Sequence, residues 1–243
     1  MRLVYAELLK IRTAPWTTAT LLLVLLAIVG LGAAGTSSDA SGSVLSLESD
    51  IVDIGGIATI FTLILGILIV TWDYRHGTIT QTFLAAPRRE RVIVAKVVTA
   101  VGLAVLLTAI ALGLAIGIAE IWLGDQFQLT DENWQHAGRI MLAAVLWAVL
   151  GLGLGATLQT QVGALISAIV WFLVLELVLV GLGSKIWNID KYLPGEALRE
   201  FSSSGQFEEE RLGRTAAGLL AAGYAFGFAA LGTLSVLRRD VTQ

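Results

Sequence analysis

The sequence predicts an all-α polytopic membrane protein with six transmembrane helices. Hydrophobic residues make up 56% of the chain and charged residues 14%, and the mean hydropathy is +0.80. Such values do not fit a soluble domain. Uncharged apolar runs recur along the chain, and each is long enough to cross a hydrocarbon layer about 30 Å thick. Because every backbone amide in lipid needs an internal partner, and the alternating pattern of a membrane barrel is missing from the sequence, the spans are expected to be helices.

Six uncharged runs give the expected spans, and the connections between them are too short for a large soluble domain. The runs are 16–34, 54–72, 97–119, 140–158, 162–183 and 215–237. Residues 1–243 are therefore expected to form a single transmembrane domain. Between residues 140 and 184, only Glu176 carries a charge. Since that stretch is too long for one membrane helix, we expect a tight turn near Gln159.

Lysine and arginine gather on one side of the expected topology, and this bias sets the orientation. With both termini on the same side, that side holds ten of the 16 basic residues and the other side holds six. The acidic residues show the opposite bias, with thirteen on the second side and four on the first. We therefore expect a multi-pass protein of a bacterial plasma membrane with both termini in the cytosol.

The segment before the first span is amphipathic. Val4, Leu8 and Ile11 share one helical stripe, and Pro15 suits the first position of the helix that follows. Because Lys10 would be costly inside lipid, this pattern favours an N-terminal interfacial helix. The alternative is a plain cytosolic extension of the first span, which we expect to be retained rather than removed as a signal peptide.

Two connections on the outer side differ in character. The segment 35–53 is rich in Ser and Gly and holds four acidic residues, so we expect a flexible, solvated loop. The segment 185–214 holds apolar anchors such as Trp187 and Phe201, and Pro194 suits the start of a short helix. We expect outer helices before the last span, and an ordinary amphipathic loop is the alternative.

Three pairs of glycines at GxxxG spacing lie within the expected spans and would let helix backbones approach closely. The pairs are Gly113 and Gly117, Gly151 and Gly155, and Gly223 and Gly227. The sequence leaves open whether each pair packs within one subunit or between two.

The chain lacks the sequence patterns of common enzymes. It contains no GxxxxGK(S/T) phosphate loop, no HExxH, no GxSxG and no cysteine. Its two histidines, His76 and His136, fall on opposite sides of the expected topology, so we expect no metal site. We therefore expect a protein that is not an enzyme, that has no cofactor of its own and that binds no nucleic acid.

Glu176 is a charged residue deep inside an expected span. It lies fourteen residues after Val162, which is about 21 Å along a helix that rises about 1.5 Å per residue. An ionised carboxylate at that depth should face protein or water rather than lipid. One interpretation is a substrate or proton site, with Trp147 and Trp171 as candidates to line the same path. The other is a structural carboxyl bonded to a neighbouring helix.

The connection between the second and third spans is short and basic. Gly77 suits the end of the second span, and Thr78 suits the N-cap of a new helix. Ile79 and Phe83 then fall on one helical face, and Pro87 would end the helix. A helix with such an apolar face can fill a groove on a soluble partner. The alternative is a solvated loop that lies along the membrane surface.

Two stretches of the sequence together resemble a known family. One is Asp73-Tyr74-Arg75-His76-Gly77-Thr78-Ile79, followed by Pro87-Arg88-Arg89 and Lys96; the other is Glu7-Leu8-Leu9-Lys10. The first is similar to the E-(Y/F)-R-x-G-T pattern of type-2 ATP-binding-cassette permeases, and the second is similar to that family's common start. Asp73 is the one departure from the pattern, because Glu is usual there.

The resemblance implies a membrane subunit without its own ATPase domain. It implies pairing with a second copy or a related permease, and binding of separate P-loop ATPase subunits that hold ATP and Mg²⁺. It also implies that the helix after the second span is a cytosolic coupling helix, and that the N-terminal helix is an interfacial elbow. The residues implied to couple to the ATPase are Asp73, Arg75, Gly77, Thr78, Ile79, Phe83, Arg88 and Arg89.

We therefore expect the permease subunit of an ATP-driven exporter in contact with membrane lipid. The resemblance implies outward movement of an amphipathic or apolar substrate, such as a drug, a peptide antibiotic or a lipid, and hence a role in multidrug or antibiotic resistance. Two other hypotheses stay open. One is a proton-coupled secondary transporter that uses Glu176, and the other is a non-transporting membrane scaffold or sensor partner.

Overall fold

The chain is a multi-pass membrane protein, as the sequence predicts. The computed structural model describes residues 2–13, 15–38, 44–78, 89–186, 190–204 and 212–238. These residues are almost entirely helical, and none of them lies in a strand. Within them, six helical stretches are long and apolar enough to cross a membrane. The stretches are Ala19–Ser38, Leu47–Arg75, Glu90–Gln126, Asp131–Leu158, Gln161–Gly181 and Arg214–Leu237.

Ten α-helices follow one another in the described part of the chain. They are α1 (Arg2–Thr13), α2 (Pro15–Ser38), α3 (Val44–Gly56), α4 (Ala58–Arg75), α5 (Arg89–Leu123), α6 (Asp131–Leu158), α7 (Gln161–Ile169), α8 (Glu176–Ile186), α9 (Pro194–Ser202) and α10 (Arg214–Arg238). A π-helical segment, Val170–Leu175, joins α7 to α8 within the fifth span. A short 3-10 turn, Asp190–Tyr192, precedes α9.

The centre of the bundle is the contact between α4 and α6, where the two backbones approach closely. A Cβ atom at Gly66 would overlap the carbonyl oxygen of Ala148, and one at Gly151 would overlap that of Leu63. Helices in lipid gain little from hydrophobic association, so close packing over small residues is a main source of their contact energy. α4 is therefore held firmly against the fourth span.

The three GxxxG pairs have different surroundings. Gly151 and Gly155 both lie against α4, so this pair packs within the subunit. α10 contacts α6 in the same manner, because Gly153 lies directly against the backbone of Phe228. A Cβ atom at the paired glycines of α5 or of α10 would meet no other atom of the described chain within 4 Å. Neither of those two pairs therefore packs closely against another helix of the described chain.

The acidic stretch before the second span is helical, which corrects the expectation of a flexible loop over 35–53. α2 and α3 cover most of this stretch, and the helix is interrupted at Ile57 before α4 begins. Ile51 and Val52 are buried on α3. Two acidic side chains of α3, Glu48 and Asp53, contact α6, and the stretch is helical where the structure describes it, so the loop interpretation is wrong there. Residues 39–43 lie outside the described residues.

The tight turn expected near Gln159 is confirmed. Gln159 has a left-handed φ of 57°, and its N–H donates a 2.9 Å hydrogen bond to the carbonyl oxygen of Gly155. This contact closes the end of α6. α7 begins at Gln161, and most side chains of the fifth span that follows are exposed on the surface of the chain.

Two short helices also agree with the expectations from the sequence. The N-terminal segment forms α1, and Pro15 begins α2. The position of α1 at the membrane interface stays a prediction. Pro194 begins α9, so a short helix is present before the last span, and its place on the outer surface likewise stays a prediction.

Candidate functional site

Three charged side chains meet in a buried cluster that joins α1, α4 and α5. The Nζ of Lys96 lies 2.6 Å from Oδ2 of Asp73 and 2.8 Å from Oε2 of Glu7. The same ammonium group donates a 3.0 Å hydrogen bond to the carbonyl oxygen of Ile69. We refer to Glu7, Asp73 and Lys96 as the Lys96 cluster. Each of its members belongs to a stretch that resembles the permease family.

The helices bring these charges together because of where each residue lies along its own helix. Asp73 lies in the last turn of α4, and Lys96 lies about two turns into α5. The chain reverses direction between α4 and α5, so the end of one helix faces the beginning of the next. Glu7 lies midway along α1, which packs against α5. The Lys96 cluster therefore connects three segments at one end of the bundle.

Thr78 and Gly77 shape the backbone directly after Asp73. Gly77 has a φ of 66°, a left-handed conformation that glycine adopts without a steric penalty. The N–H of Thr78 then donates a 3.0 Å hydrogen bond to the Asp73 carbonyl oxygen. The Oγ1 of Thr78 donates a 3.1 Å hydrogen bond to Oδ1 of Asp73. Thr78 therefore orients the carboxylate that Lys96 contacts, a role distinct from the helix N-cap that the sequence suggested.

Because the three side chains of the Lys96 cluster are buried, their contacts fix the relative positions of α1, α4 and α5. Asp73 is fully buried, and the exposed fractions of Glu7 and Lys96 are 6% and 4%. Removing one partner from a buried ion pair costs about 3–5 kcal/mol, because the remaining charge stays buried without its counter-charge. The three segments are therefore expected to move together rather than separately.

Arg75 and His76 lie next to the cluster but on the exposed side of the helix end. The Nη1 of Arg75 donates a 3.0 Å hydrogen bond to Oε1 of Gln161, the first residue of α7. The ring of His76 stacks on Trp72, with 4.4 Å between the ring centroids. The second span thus contacts the start of the fifth span at this end of the bundle.

The remaining residues that the resemblance implies for coupling lie at or beyond the edge of the described chain. Ile79, Phe83 and Arg88 lie outside the described residues, and Arg89 is the first residue of α5. The predicted coupling helix falls on the same stretch, 79–88, so it stays a prediction. The structure describes the two ends from which that stretch extends.

Glu176 is held by a neighbouring helix. It is buried within the fifth span, and its Oε1 accepts a 2.7 Å hydrogen bond from the N–H of Gly195, near the start of α9. The first N–H groups of a helix have no partner within that helix, and a carboxylate also meets the positive end of the helix dipole there. This contact favours the interpretation of Glu176 as a structural carboxyl, and its role in transport stays a prediction.

The two tryptophans predicted to line a path have different surroundings. Trp147 is partly buried and meets Phe172 edge to face, with 4.7 Å between the ring centroids. Trp171 is 40% exposed. Both Trp171 and Phe172 belong to the π-helical segment that directly precedes Glu176. Such segments are frequent at functional sites.

A second polar cluster joins α3, α6 and α9 at the opposite end of α4. Glu48 is buried, and its Oε2 accepts a 2.9 Å hydrogen bond from Nδ2 of Asn133. The Nε2 of His136 lies 3.1 Å from Oδ1 of Asp53 and 2.8 Å from the carbonyl oxygen of Ser202. Both neighbours are acceptors, so Nε2 carries the hydrogen. The sequence did not indicate these contacts, because Glu48 and Asp53 lie far along the chain from their partners on α6.

The sequence marks each member of the Lys96 cluster but does not show that they meet. One signal could have indicated the contact. Asp73 directly follows the uncharged run 54–72, and Lys96 directly precedes the run 97–119. Opposite charges at the facing ends of consecutive spans are candidates for an ion pair, since the spans are neighbours in space.

A scan against models of protein families found no match, and a search of curated proteins found none either. Among the residues that the structure describes, no group of three or more His, Cys, Asp or Glu side chains could hold a metal ion. The function proposed below therefore depends on the residues and contacts themselves.

Proposed function

We propose that this chain is the membrane-spanning permease subunit of an ATP-driven exporter, powered by separate P-loop ATPase subunits. One observation carries the proposal: Glu7, Asp73 and Lys96 come from the family-like stretches and meet in one buried cluster. Two of these residues flank the stretch 79–88, which would form the coupling helix. The contacts thus link the two helix ends from which that stretch extends to each other and to the N-terminal helix.

The Lys96 cluster would transmit force from a docked ATPase into the membrane. The end of α4 and the start of α5 cannot separate without exposing Asp73 or leaving Lys96 without its carboxylates. A push on the stretch between them would therefore displace both helices and α1 together. The close contact of Gly66 with Ala148 would carry the displacement on to α6 at the centre of the bundle.

The substrate would be amphipathic or apolar, such as a drug, a peptide antibiotic or a lipid. The spans carry few charges with which to bind a strongly polar solute. A second permease, identical or related, would complete the pathway. The first and fifth spans offer surfaces for it, because few residues of either span are buried within the subunit.

Reconstitution tests the proposal. The protein is purified from native membranes in mild detergent, the copurifying P-loop ATPase is identified by mass spectrometry, and both are placed in proteoliposomes. Efflux of a fluorescent amphipathic dye is then measured with ATP, with ADP and with a proton gradient alone. We expect ATP-driven efflux and stimulated ATP hydrolysis that require both proteins.

Two other outcomes would contradict the proposal in different ways. Efflux by this chain alone on a proton gradient would establish the secondary transporter. A folded chain that copurifies with no P-loop ATPase, and that stimulates no nucleotide hydrolysis in native membranes, would favour the scaffold or sensor hypothesis.

A further inference from the structure

Arg139 and Arg214 bring two positive charges together at the end of the bundle that carries α9. Arg139 lies on α6, and Arg214 is the first residue of α10. The Nη2 of Arg139 donates to the carbonyl oxygen of Ser203, and the Nη2 of Arg214 donates to that of Ser204, each at 3.4 Å. Because these carbonyls are consecutive, the two guanidinium groups lie close enough for their charges to repel.

The two guanidinium groups have little within the subunit to neutralise them. No carboxylate of the described residues forms an ion pair with either group. Glu132 attracts Arg139 only from a distance, and Glu200 uses its carboxylate on the N–H groups of Leu212 and Gly213. The charges at this site are therefore unbalanced in the described chain.

The guanidinium groups also have unused hydrogen-bond donors. The Nε atoms of Arg139 and Arg214 are buried and have no hydrogen-bond partner. Buried polar atoms without partners are rare in folded proteins, and each one calls for an explanation. Two buried N–H donors on neighbouring cations call for an acceptor that the described residues do not supply.

Exposed tryptophans lead us to expect this end of the bundle at the level of the lipid headgroups. Trp134 lies on α6 close to Arg139, and Trp122 lies near the end of α5, and each is 59% exposed. Tryptophan is enriched where the membrane meets water, because its ring is apolar and its N–H is polar. Phosphate groups are abundant at this level, both on lipids and in the adjoining water.

We propose that Arg139 and Arg214 form a binding site for a phosphate group, supplied by a lipid headgroup or by free phosphate. A guanidinium group presents parallel N–H donors, its Nε–H among them, that match two phosphate oxygens. Each Nε atom is enclosed within the described fold, so the side chains turn for both Nε–H groups to donate to a phosphate between them, and the bound phosphate then offsets their repulsion. Because the same side chains contact Ser203 and Ser204, the bound phosphate fastens the end of α9 to α6 and α10.

A binding experiment on the full-length protein tests this site. The protein is kept in a non-ionic, phosphate-free detergent buffer, and binding of dioctanoyl phosphatidylglycerol is measured by native mass spectrometry. Dioctanoyl glycerol, which has the same chains without phosphate, is the reference ligand. We expect Arg139→Gln and Arg214→Gln each to weaken phosphatidylglycerol binding about tenfold and to leave dioctanoyl glycerol unaffected.

Matched variants distinguish the loss of this site from a general loss of positive charge and from misfolding. Arg199→Gln removes one positive charge from an exposed residue of α9 that pairs with Glu196, and should change the affinity by less than about twofold. Arg139→Lys and Arg214→Lys keep the charge but lose the guanidinium fork, so we expect weaker binding than wild type at an unchanged melting temperature.

The source of the phosphate follows from competition. Displacement of the lipid by millimolar sodium phosphate would assign the site to free phosphate, and resistance to it would assign the lipid headgroup; both results support the site. Equal losses in Arg199→Gln and the two site variants would overturn the proposal, as would wild-type affinity in both site variants. It would also fail if binding appeared only after Glu208, Glu209 and Glu210 were all changed to Gln, because the chain's own carboxylates would then occupy the site.

Discussion

The Nζ of Lys96 lies 2.6 Å from Oδ2 of Asp73, and this ion pair joins the second and third membrane spans. A buried ion pair is weak evidence for overall stability, because desolvation of both charges opposes their attraction. It nevertheless fixes the relative position of its two segments, since separating them removes a close counter-charge from two buried side chains. The contact therefore fixes the relative positions of the two helix ends beside the stretch 79–88, which is what the proposed coupling to an ATPase requires.

We expect Lys96→Met to destabilise the protein by about 3–5 kcal/mol. The variant removes the ammonium group that both the Asp73 and the Glu7 carboxylates contact in a buried site. Thermal unfolding in detergent, followed by circular dichroism, measures the change. The matched control is Arg91→Met on the same helix, where the side chain is exposed and where we expect a change within about 0.5 kcal/mol.

A triple variant tests whether the buried charges cause the loss of stability expected for Lys96→Met. Glu7→Gln, Asp73→Asn and Lys96→Met together leave no buried charge in the cluster, so we expect the triple variant to be more stable than Lys96→Met alone. Equal melting temperatures for Lys96→Met and Arg91→Met would contradict the structural role of the cluster.

Thr78→Val should weaken coupling without unfolding the protein. The variant loses the 3.1 Å hydrogen bond from Oγ1 to Asp73, which costs about 1 kcal/mol and frees the carboxylate to change its orientation. In proteoliposomes with the ATPase, we expect less substrate moved per ATP hydrolysed. Thr78→Ser keeps the hydroxyl and should behave like wild type; the same loss in both variants would show that the hydrogen bond is not the cause.

Gly66→Ala should disrupt the packing of the second span on the fourth. The added Cβ would overlap the carbonyl oxygen of Ala148, so the helices must separate, and we expect a loss of about 1–3 kcal/mol in thermal unfolding. Gly102→Ala is the control, because a Cβ there meets no atom within 4 Å. We expect it to be neutral or to stabilise by up to about 1 kcal/mol through helix propensity. A tolerated Gly66→Ala would contradict the close contact.

Glu176→Gln should keep α9 in place, whereas Glu176→Leu should release it. An amide oxygen can accept the hydrogen bond from the N–H of Gly195, but a leucine leaves that N–H unpaired, at a cost of about 1–3 kcal/mol. Hydrogen exchange at the first amides of α9 measures the difference. Fast exchange in both variants, together with loss of proton-driven transport, would favour the proton-site interpretation instead.

Local features of the chain were predictable from the sequence, because they depend on composition and on neighbouring residues. The six spans follow from uncharged runs, the turn at Gln159 follows from the length of the run around it, and Pro194 begins α9 as expected. Each of these depends on a single stretch of chain and on the thickness of the bilayer.

Contacts between distant segments were not predictable. The sequence suggested that Glu48 and Asp53 are solvated loop residues, but they lie on α3 and contact Asn133 and His136, which are far along the chain on α6. The meeting of the three charges in the Lys96 cluster likewise depends on how α1 lies against α5. Charge alone does not tell whether an acidic residue near a span faces water or a partner.

The most direct test asks whether a nucleotide-hydrolysing partner touches the connection between α4 and α5. The chain has no cysteine, so Phe83→Cys supplies a single thiol, and Asp125→Cys places one at an exposed position near the opposite end of the bundle. A thiol-to-amine crosslinker is applied to native membranes with and without ATP, and the products are identified by mass spectrometry. We predict that Phe83→Cys crosslinks to a P-loop ATPase in an ATP-dependent manner and that Asp125→Cys does not. Capture of no ATPase at position 83, or equal capture at both positions, would contradict the account.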